Sequence, residues 1–458
     1  MVGLQPLRNI FKVPELRRRI LITIGLLLVY RLGCLVPVPG INTAAVAEMM
    51  EAATEGVLGA FFGMANLFTG GAFERMAVFG LGVMPYISAS IIIQLLTTSV
   101  PYLENLAKEG EAGRKKIRRI ERYLTLGLCL FQGYVWVQWV QRATGMTGVG
   151  EQIISPAVTV WQFQVMGVLA LATGSIFLMW IGEQMTEYGI GNGISLIIMG
   201  GIVARAPAAL GRVLLTVDWT FEGTAGQMGL ITLLGLVVLF VAIVVGVVLI
   251  TQGQRRIPMH QAKHTRGRRV YGGQRHYMPL RVNQAGVIPI IFASSLLMFP
   301  SMLIRALQAG YPRIYLMLSG LVEHQGFLYI FLYALLIIFF CFFWTAVTFN
   351  PQQMSDNLRD YGSFIPGIRP GRRTAEYIEK VMTRVTIAGA AFLAIIAIVP
   401  SMVSAATGLD PMAASFYGGT GLLIVVGVAL ELVERIETHL LMRHYDGFVR
   451  KGRIRGRR

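Results

Sequence analysis

The sequence predicts an all-α, polytopic membrane protein: ten transmembrane helices arranged as two five-helix halves in an inverted repeat. Three observations lead there. Of 458 residues, 54% are hydrophobic and only 14% are charged, against about 25% charged in a soluble globular domain, and the mean hydropathy is +0.60. This balance excludes an ordinary soluble enzyme, a disordered chain and a secreted disulfide scaffold. Basic residues gather in alternate connections between apolar segments. A glycine–proline motif recurs in the second and seventh segments.

The ten apolar segments are residues 20–36, 76–98, 123–141, 160–181, 189–204, 228–250, 285–304, 327–349, 385–403 and 414–433. A helix needs about 20 residues to cross the hydrocarbon core, so the first and fifth are the short ones. Arg17-Arg18-Arg19 precede an apolar run, as in a signal peptide. The chain then reads Tyr30-Arg31-Leu32-Gly33-Cys34-Leu35-Val36-Pro37, without the small-residue pattern of a cleavage site. An uncleaved first span anchored by inner basic residues is expected.

An inside N-terminus requires basic inner loops. Lys and Arg number five in residues 1–19, seven in 102–122, eight in 252–283, six in 350–384 and eight in 431–458, with none in the short 182–188 connection. Only Arg31, Arg75, Arg142, Arg205, Arg212, Arg305 and Arg313 fall elsewhere among the 41. A wrong span count would scramble this alternation. The net charge of +17 therefore has a topological use, and both termini are expected in the cytoplasm.

Gly82-Val83-Met84-Pro85-Tyr86-Ile87-Ser88-Ala89-Ser90 and Gly286-Val287-Ile288-Pro289-Ile290-Ile291-Phe292-Ala293-Ser294 agree at six of nine positions. Five spans separate the two, so they run in opposite directions. That is the signature of halves related by an axis in the membrane plane, with the functional centre between them. A proline inside each span is expected to bend it. The division expected is 1–215, holding spans one to five, 216–435, holding spans six to ten and the basic loops 252–283 and 350–384, and a basic tail at 436–458. Residues 57–71 are apolar but too short to span. They fit a re-entrant helix or an amphipathic helix on the outer surface equally well.

The chain carries no sign of catalysis. No lysine precedes Ser or Thr, so no Walker A loop exists, and no His precedes Glu, so no HExxH zinc site exists. No G-x-S-x-G elbow occurs. The six histidines are scattered, and Cys34, Cys129 and Cys341 lie apart in or beside apolar runs, so neither a metal site nor a cofactor is expected. Gly189-Ile190-Gly191-Asn192-Gly193 reads as a flexible lead-in to span five. Ionisable residues are nearly absent from span interiors, which weighs against a secondary transporter coupled to ions. A carrier of a neutral small solute, also built from inverted repeats, stays open as the second reading.

Two features remain. Val83 and Ile87, Ile194 and Ile198, and Val287 and Ile291 are each spaced i, i+4. Branched apolar residues at a cavity centre can form a dry constriction, though such residues also face lipid and other helices throughout membranes. The 252–283 loop holds eight basic residues and no acid, more than orientation requires, and suits an acidic or phosphate-rich partner.

Several long segments in order carry a resemblance to the SecY/Sec61 alpha family of protein-conducting channels. They are Pro37-Val38-Pro39-Gly40-Ile41, the run from Met84 to Gln94, Gly189 to Ser195, Ala285 to Pro289, Phe364 to Gly371 and Gly418 to Ile424. The resemblance implies a central pore between two halves. Its constriction would be Val83, Ile87, Ile194, Ile198, Ile291 and Ile424, slightly wider at Val83, where the family often has Ile. The re-entrant segment would be a plug, with Phe61, Phe62, Met64, Asn66, Leu67 and Phe68 in it. Ser88, Gln94, Ser294, Ser295 and Phe299 would line a lateral gate toward lipid. Arg255, Arg256 and Arg369 would meet a SecA-like ATPase or the ribosome. SecE-like and SecG-like small membrane subunits, signal sequences, unfolded preproteins and membrane lipid are the other partners implied. The location implied is the plasma (inner) membrane of a bacterium.

Overall fold

The computed structural model describes residues 13–46, 66, 68–146, 153–156, 158–216, 229–261, 264–266, 269–271, 275–284, 286–306, 312–318, 326–407 and 420–451. Thirteen helices dominate these residues: α1 (Pro14–Gly33), α2 (Met84–Ser99), α3 (Pro101–Lys108), α4 (Glu111–Met146), α5 (Val160–Tyr188), α6 (Gly193–Thr216), α7 (Leu230–Gln252), α8 (Ile288–Ala306), α9 (Pro312–Leu318), α10 (Phe327–Thr348), α11 (Pro351–Asp360), α12 (Arg372–Thr407) and α13 (Thr420–Lys451). Among the described residues, five stretches are long and apolar enough to cross a membrane. These are α5, 193–211 of α6, α7, α10 with α11, and 372–399 of α12. The bent pair α2 and α3 makes a sixth if counted as one span.

Local chemistry sets several helix ends. Pro14, Pro85, Pro101 and Pro351 sit in first turns, where the missing N–H would have no helical partner anyway. Val100 is extended before Pro101 (φ −104°, ψ 114°), as a pre-proline residue prefers, and the chain bends by 96° there. Thr159 and Gln162 form a reciprocal capping box on α5.

The two motif copies share one backbone solution. Gly82 (φ +59°) and Gly286 (φ +62°) are both left-handed, and a helix starts two residues later in each case, at Met84 and Ile288. The prolines therefore stand near helix starts. The expected mid-span bends are replaced by a glycine turn followed by a proline-initiated helix, and residues 76–83 of the second apolar segment form turns.

The chain divides into two compact units: residues 1–216, 411–416 and 424–458, and residues 217–410 and 417–423. In the first unit, backbone segments meet at glycines. A Cβ at Gly174 would lie 2.2 Å from the Val78 carbonyl, and one at Gly193 would lie 2.0 Å from the Gly182 carbonyl, so only glycine permits these approaches. Leu16 and Ile190 are buried against Leu432, Ile436 and Leu440 of α13.

In the second unit, Phe292 of α8 stands edge-on to Phe340 and Trp344 of α10, with centroids 5.8 and 5.7 Å apart. This unit also holds strands that the all-α expectation lacks. Strand β1 (Gln254–Gln261) pairs antiparallel with β4 (Arg275–Arg281) and, at its far end, with β5 (Ser363–Phe364). Between them β2 (His264–Arg266) and β3 (Arg269–Tyr271) form a small hairpin. The sheet base sits on α12: Val282 N donates to the Gly253 carbonyl at 2.8 Å, and a Cβ at Gly389 would lie 2.6 Å from the Val282 carbonyl. Gly389→Val is expected to lift the sheet from α12. Trypsin cleavage at Arg255, Arg256 and Arg281 in native membranes should then accelerate, while cleavage at Arg118 and Arg119 should not.

Candidate functional site

Val83 caps the start of α2, and Ile87 N donates to its carbonyl at 3.0 Å. Both side chains are buried, as are Ile198 of α6 and Ile424 of α13. Ile194 is half-buried and seats its Cδ1 in the notch at Gly182 of α5. These five residues belong to the first unit, and Ile291, buried on α8, belongs to the second.

The glycine-rich turn before α6 is pinned. Ile190 N donates to Thr23 Oγ1 at 3.3 Å, Gly193 N donates to Thr186 Oγ1 at 2.8 Å, and Asn192 Oδ1 accepts from Ile194 N at 3.1 Å. Gly191 (φ +88°) provides the left-handed step. The flexible lead-in expected there is instead a tight corner pinned by side-chain acceptors.

Of the residues expected to line a lateral gate, Ser88 and Gln94 are half-buried on α2. Gln94 Oε1 is buried without a hydrogen-bond partner among the described residues, a costly state that calls for a donor. Ser294 is buried on α8 and donates to the carbonyls of Ile290 and Ile291 at 2.9 and 3.0 Å. Ser295 and Phe299 lie on α8, with side chains outside the described set. Of the residues expected in a plug, Asn66 and Phe68 are described and buried, whereas Phe61, Phe62, Met64 and Leu67 lie outside the described residues.

The basic loops form a built surface. Alternation across the β1–β4 register turns Ile257, Met278 and Leu280 toward Ile365, Ile378, Val381 and Met382. The opposite face carries Arg256, Arg275, Tyr277 and Arg281, all exposed. Arg255 is exposed as well. Pairing of His260 with Phe364 brings the 350–384 loop to the same sheet. In that loop Ile365-Pro366-Gly367-Ile368 is a type II turn, closed by Ile368 N to the Ile365 carbonyl at 3.1 Å with Gly367 at φ +80°. Arg369 is exposed, but its carbonyl accepts from the buried Thr374 hydroxyl at 2.9 Å. The buried Ser355 hydroxyl holds the Gly371 carbonyl at 2.7 Å. The three arginines named from sequence thus stand on one rigid scaffold within the second unit.

One group escaped sequence reading. Glu121 of α4 is buried and accepts hydrogen bonds from the Ser90 and Tyr86 side chains of α2, and its Oε1 has no partner among the described residues. Burial pushes its carboxyl above the usual carboxylate range; nearby Glu183 pushes the same way, while the two hydroxyls and Arg118 oppose the shift. Glu183 itself is engaged by Arg122 through two hydrogen bonds, at 3.0 and 2.7 Å. The only hint in the sequence is a lone acid among the basic residues 114–122.

A family model described as SecY matches residues 77–433. The protein translocase subunit SecY of Thermotoga maritima is 42% identical over 456 residues, covering 99% of this chain and 100% of that protein. A solved structure described as "The structure of a protein conducting channel" superposes with a TM-score of 0.61 at 16% identity, covering 93% of each chain. Another, described as "Sec61 in the Canine ribosome-channel complex from the endoplasmic reticulum", gives 0.57 at 16% identity, again covering 93% of each.

The raised Glu121 carboxyl fixes the sign of a pH effect. A raised native pKa makes folding bind a proton, so stability is full below the ordinary carboxylate pKa and declines as pH rises through the native value. Glu121→Gln removes the ionisation and keeps an acceptor for Tyr86 and Ser90. Thermal unfolding should show the variant gaining over the parent as pH rises from about 4 to 8; a pH-independent difference would contradict the burial argument.

Proposed function

The chain belongs to the SecY family, and we propose that it works as that family's protein-conducting channel, passing unfolded secretory polypeptides across the membrane and releasing apolar segments sideways into lipid. The identity to a translocase subunit over nearly the full length carries this reading. The relatives give no support to the small-solute carrier.

In this reading ten spans form two inverted halves, 1–215 and 216–435, around the pore, with residues 57–71 as the plug. The matching backbone at Gly82 and Gly286 supports the repeat. Val83, Ile87, Ile194, Ile198, Ile291 and Ile424 form the constriction. An apolar ring suits the task, because it touches any side chain weakly, widens around it and expels water when empty. A polar selective site would hold some residues and stall others. Ser88, Gln94, Ser294, Ser295 and Phe299 line the route into lipid, where a sufficiently hydrophobic segment leaves because its transfer is favourable.

The chain has no Walker A loop, so a partner drives transport: a SecA-like ATPase or a translating ribosome docked on Arg255, Arg256 and Arg369. SecE-like and SecG-like subunits complete the complex in the bacterial plasma membrane, with both termini of this chain in the cytoplasm.

Site-specific photocrosslinking tests the centre of the reading. A photoreactive residue at Ile291 should capture an arrested secretory chain and not a signal-less control. Failure to crosslink a chain shown to be bound would remove the pore assignment. Ile87→Asn and Ile198→Asn should each raise export of a signal-defective precursor about tenfold, the equivalent of ~1.4 kcal/mol; pulse-labelled export of that precursor at the parental rate in both variants counts against the ring. Reversing Arg255, Arg256 and Arg369 to Glu should weaken partner binding strongly at low salt and less at high salt. A salt-independent loss, measured by equilibrium binding to native membranes, would argue against electrostatic docking there.

A further inference from the structure

Within the first unit, α2 is a helix of 16 residues set between two breaks in the chain. It follows turns that include the left-handed Gly82, and the 96° bend into α3 follows it. A chain broken at both ends carries no rotation from a neighbouring helix into α2, so lateral contacts set how α2 is turned about its own axis. The hydroxyls of Thr97 and Thr98 bond back to α2's own carbonyls, at 2.6 and 2.8 Å, and these bonds tie it to no neighbour. The hydroxyls of Tyr86 and Ser90 do form such a tie: both donate to the carboxylate of Glu121 on α4.

Glu121 is only 8% exposed and stands on a helix of 36 residues, a long and continuous mount for the short α2. The next residue, Arg122, grips Glu183 of α5 through two hydrogen bonds, at 3.0 and 2.7 Å. Successive residues of α4 therefore hold α2 and α5. Tyr86 and Ser90 are four residues apart, one above the other on one face of α2. Two bonds from that face to one side chain fix its rotation, where a single bond would leave a swivel. Successive helical residues are turned by about 100°, so Ile87 and Ser88, which lie between the two hydroxyls in sequence, face the directions that this pair of bonds dictates.

We infer that Glu121 is a positioning residue for translocation: by taking the Tyr86 and Ser90 hydroxyls together it fixes the rotation of α2, and so sets how stringently the channel demands a sound signal sequence. The inference rests on the channel reading above, in which Ile87 belongs to the constriction and Ser88 to the route into lipid. Loss of the two bonds lets α2 turn, both residues leave their resting directions, and a weaker signal sequence then suffices. What Glu121 contributes is an acceptor of the right reach, so a neutral acceptor of the same size does the same work.

Cells that depend on the full chain for export provide the test, read by pulse-labelled export of a normal precursor and of a signal-defective one. Glu121→Leu should raise export of the signal-defective precursor about tenfold, as expected for the loss of hydrogen bonds to a buried acceptor, with export of the normal precursor retained. Glu121→Gln should stay within about twofold of the parent. Tyr86→Phe with Ser90→Ala removes only the two oxygens and should match Glu121→Leu. Adding Glu121→Leu to that pair should gain nothing further, because all three changes break the same bonds. Parental export of the signal-defective precursor in the Tyr86→Phe, Ser90→Ala variant would overturn the inference and leave the channel reading in place, whether or not Glu121→Leu accumulates. A Glu121→Gln variant as permissive as Glu121→Leu would overturn it too, since acceptance of the two hydroxyls is then not what counts, as would a triple variant well above either. A normal precursor left unexported by the parent would remove the channel reading and the inference together.

Discussion

The hydrocarbon core of a bilayer offers no water to a backbone N–H or C=O, and the architecture of this chain follows from that constraint. Continuous helices satisfy themselves. Wherever the chain must break, side chains take over. At the corner before α6, Thr23 and Thr186 supply acceptors for the amides of Ile190 and Gly193. At the root of the segment before α2, Tyr30 and Arg31 supply donors for the carbonyls of Thr69 and Gly70. Each irregular stretch is thus bound to α1, which acts as a common backing for two breaks far apart in sequence.

The same constraint divides the work of the molecule. Charged groups are kept out of span interiors, and exposed arginines stand on the β1–β4 sheet, at helix ends and in the connections. Glu121, just outside the third apolar segment, shows what burying such a group costs: burial raises its carboxyl pKa although two hydroxyls of α2 and Arg118 oppose the shift.

Much of this is legible in the sequence. Apolar segments and basic loops follow from composition alone, because lipid and water sort residues strongly. The Gly82 and Gly286 motifs were visible as a repeat, but their prolines read as kinks; that glycine takes the left-handed turn and proline then starts a helix depends on φ, which sequence does not display. The β1–β4 sheet was hidden because Pro258 and Pro279 interrupt the alternation of Ile257, Met278 and Leu280, and arginines around them resemble a solvated loop. Glu121 was hidden for another reason: its environment is created by helices that meet only after folding.

The sheet has a mechanical side. Its strands join two loops about a hundred residues apart through hydrogen bonds lying across the strand direction, and its base abuts α12 at a glycine with no side chain to yield. A tug along the hairpin loads those bonds in shear, several at once, so the sheet moves as one stiff lever. A load on the arginine-bearing face is therefore borne by α12 at Gly389, where the base of the sheet abuts it.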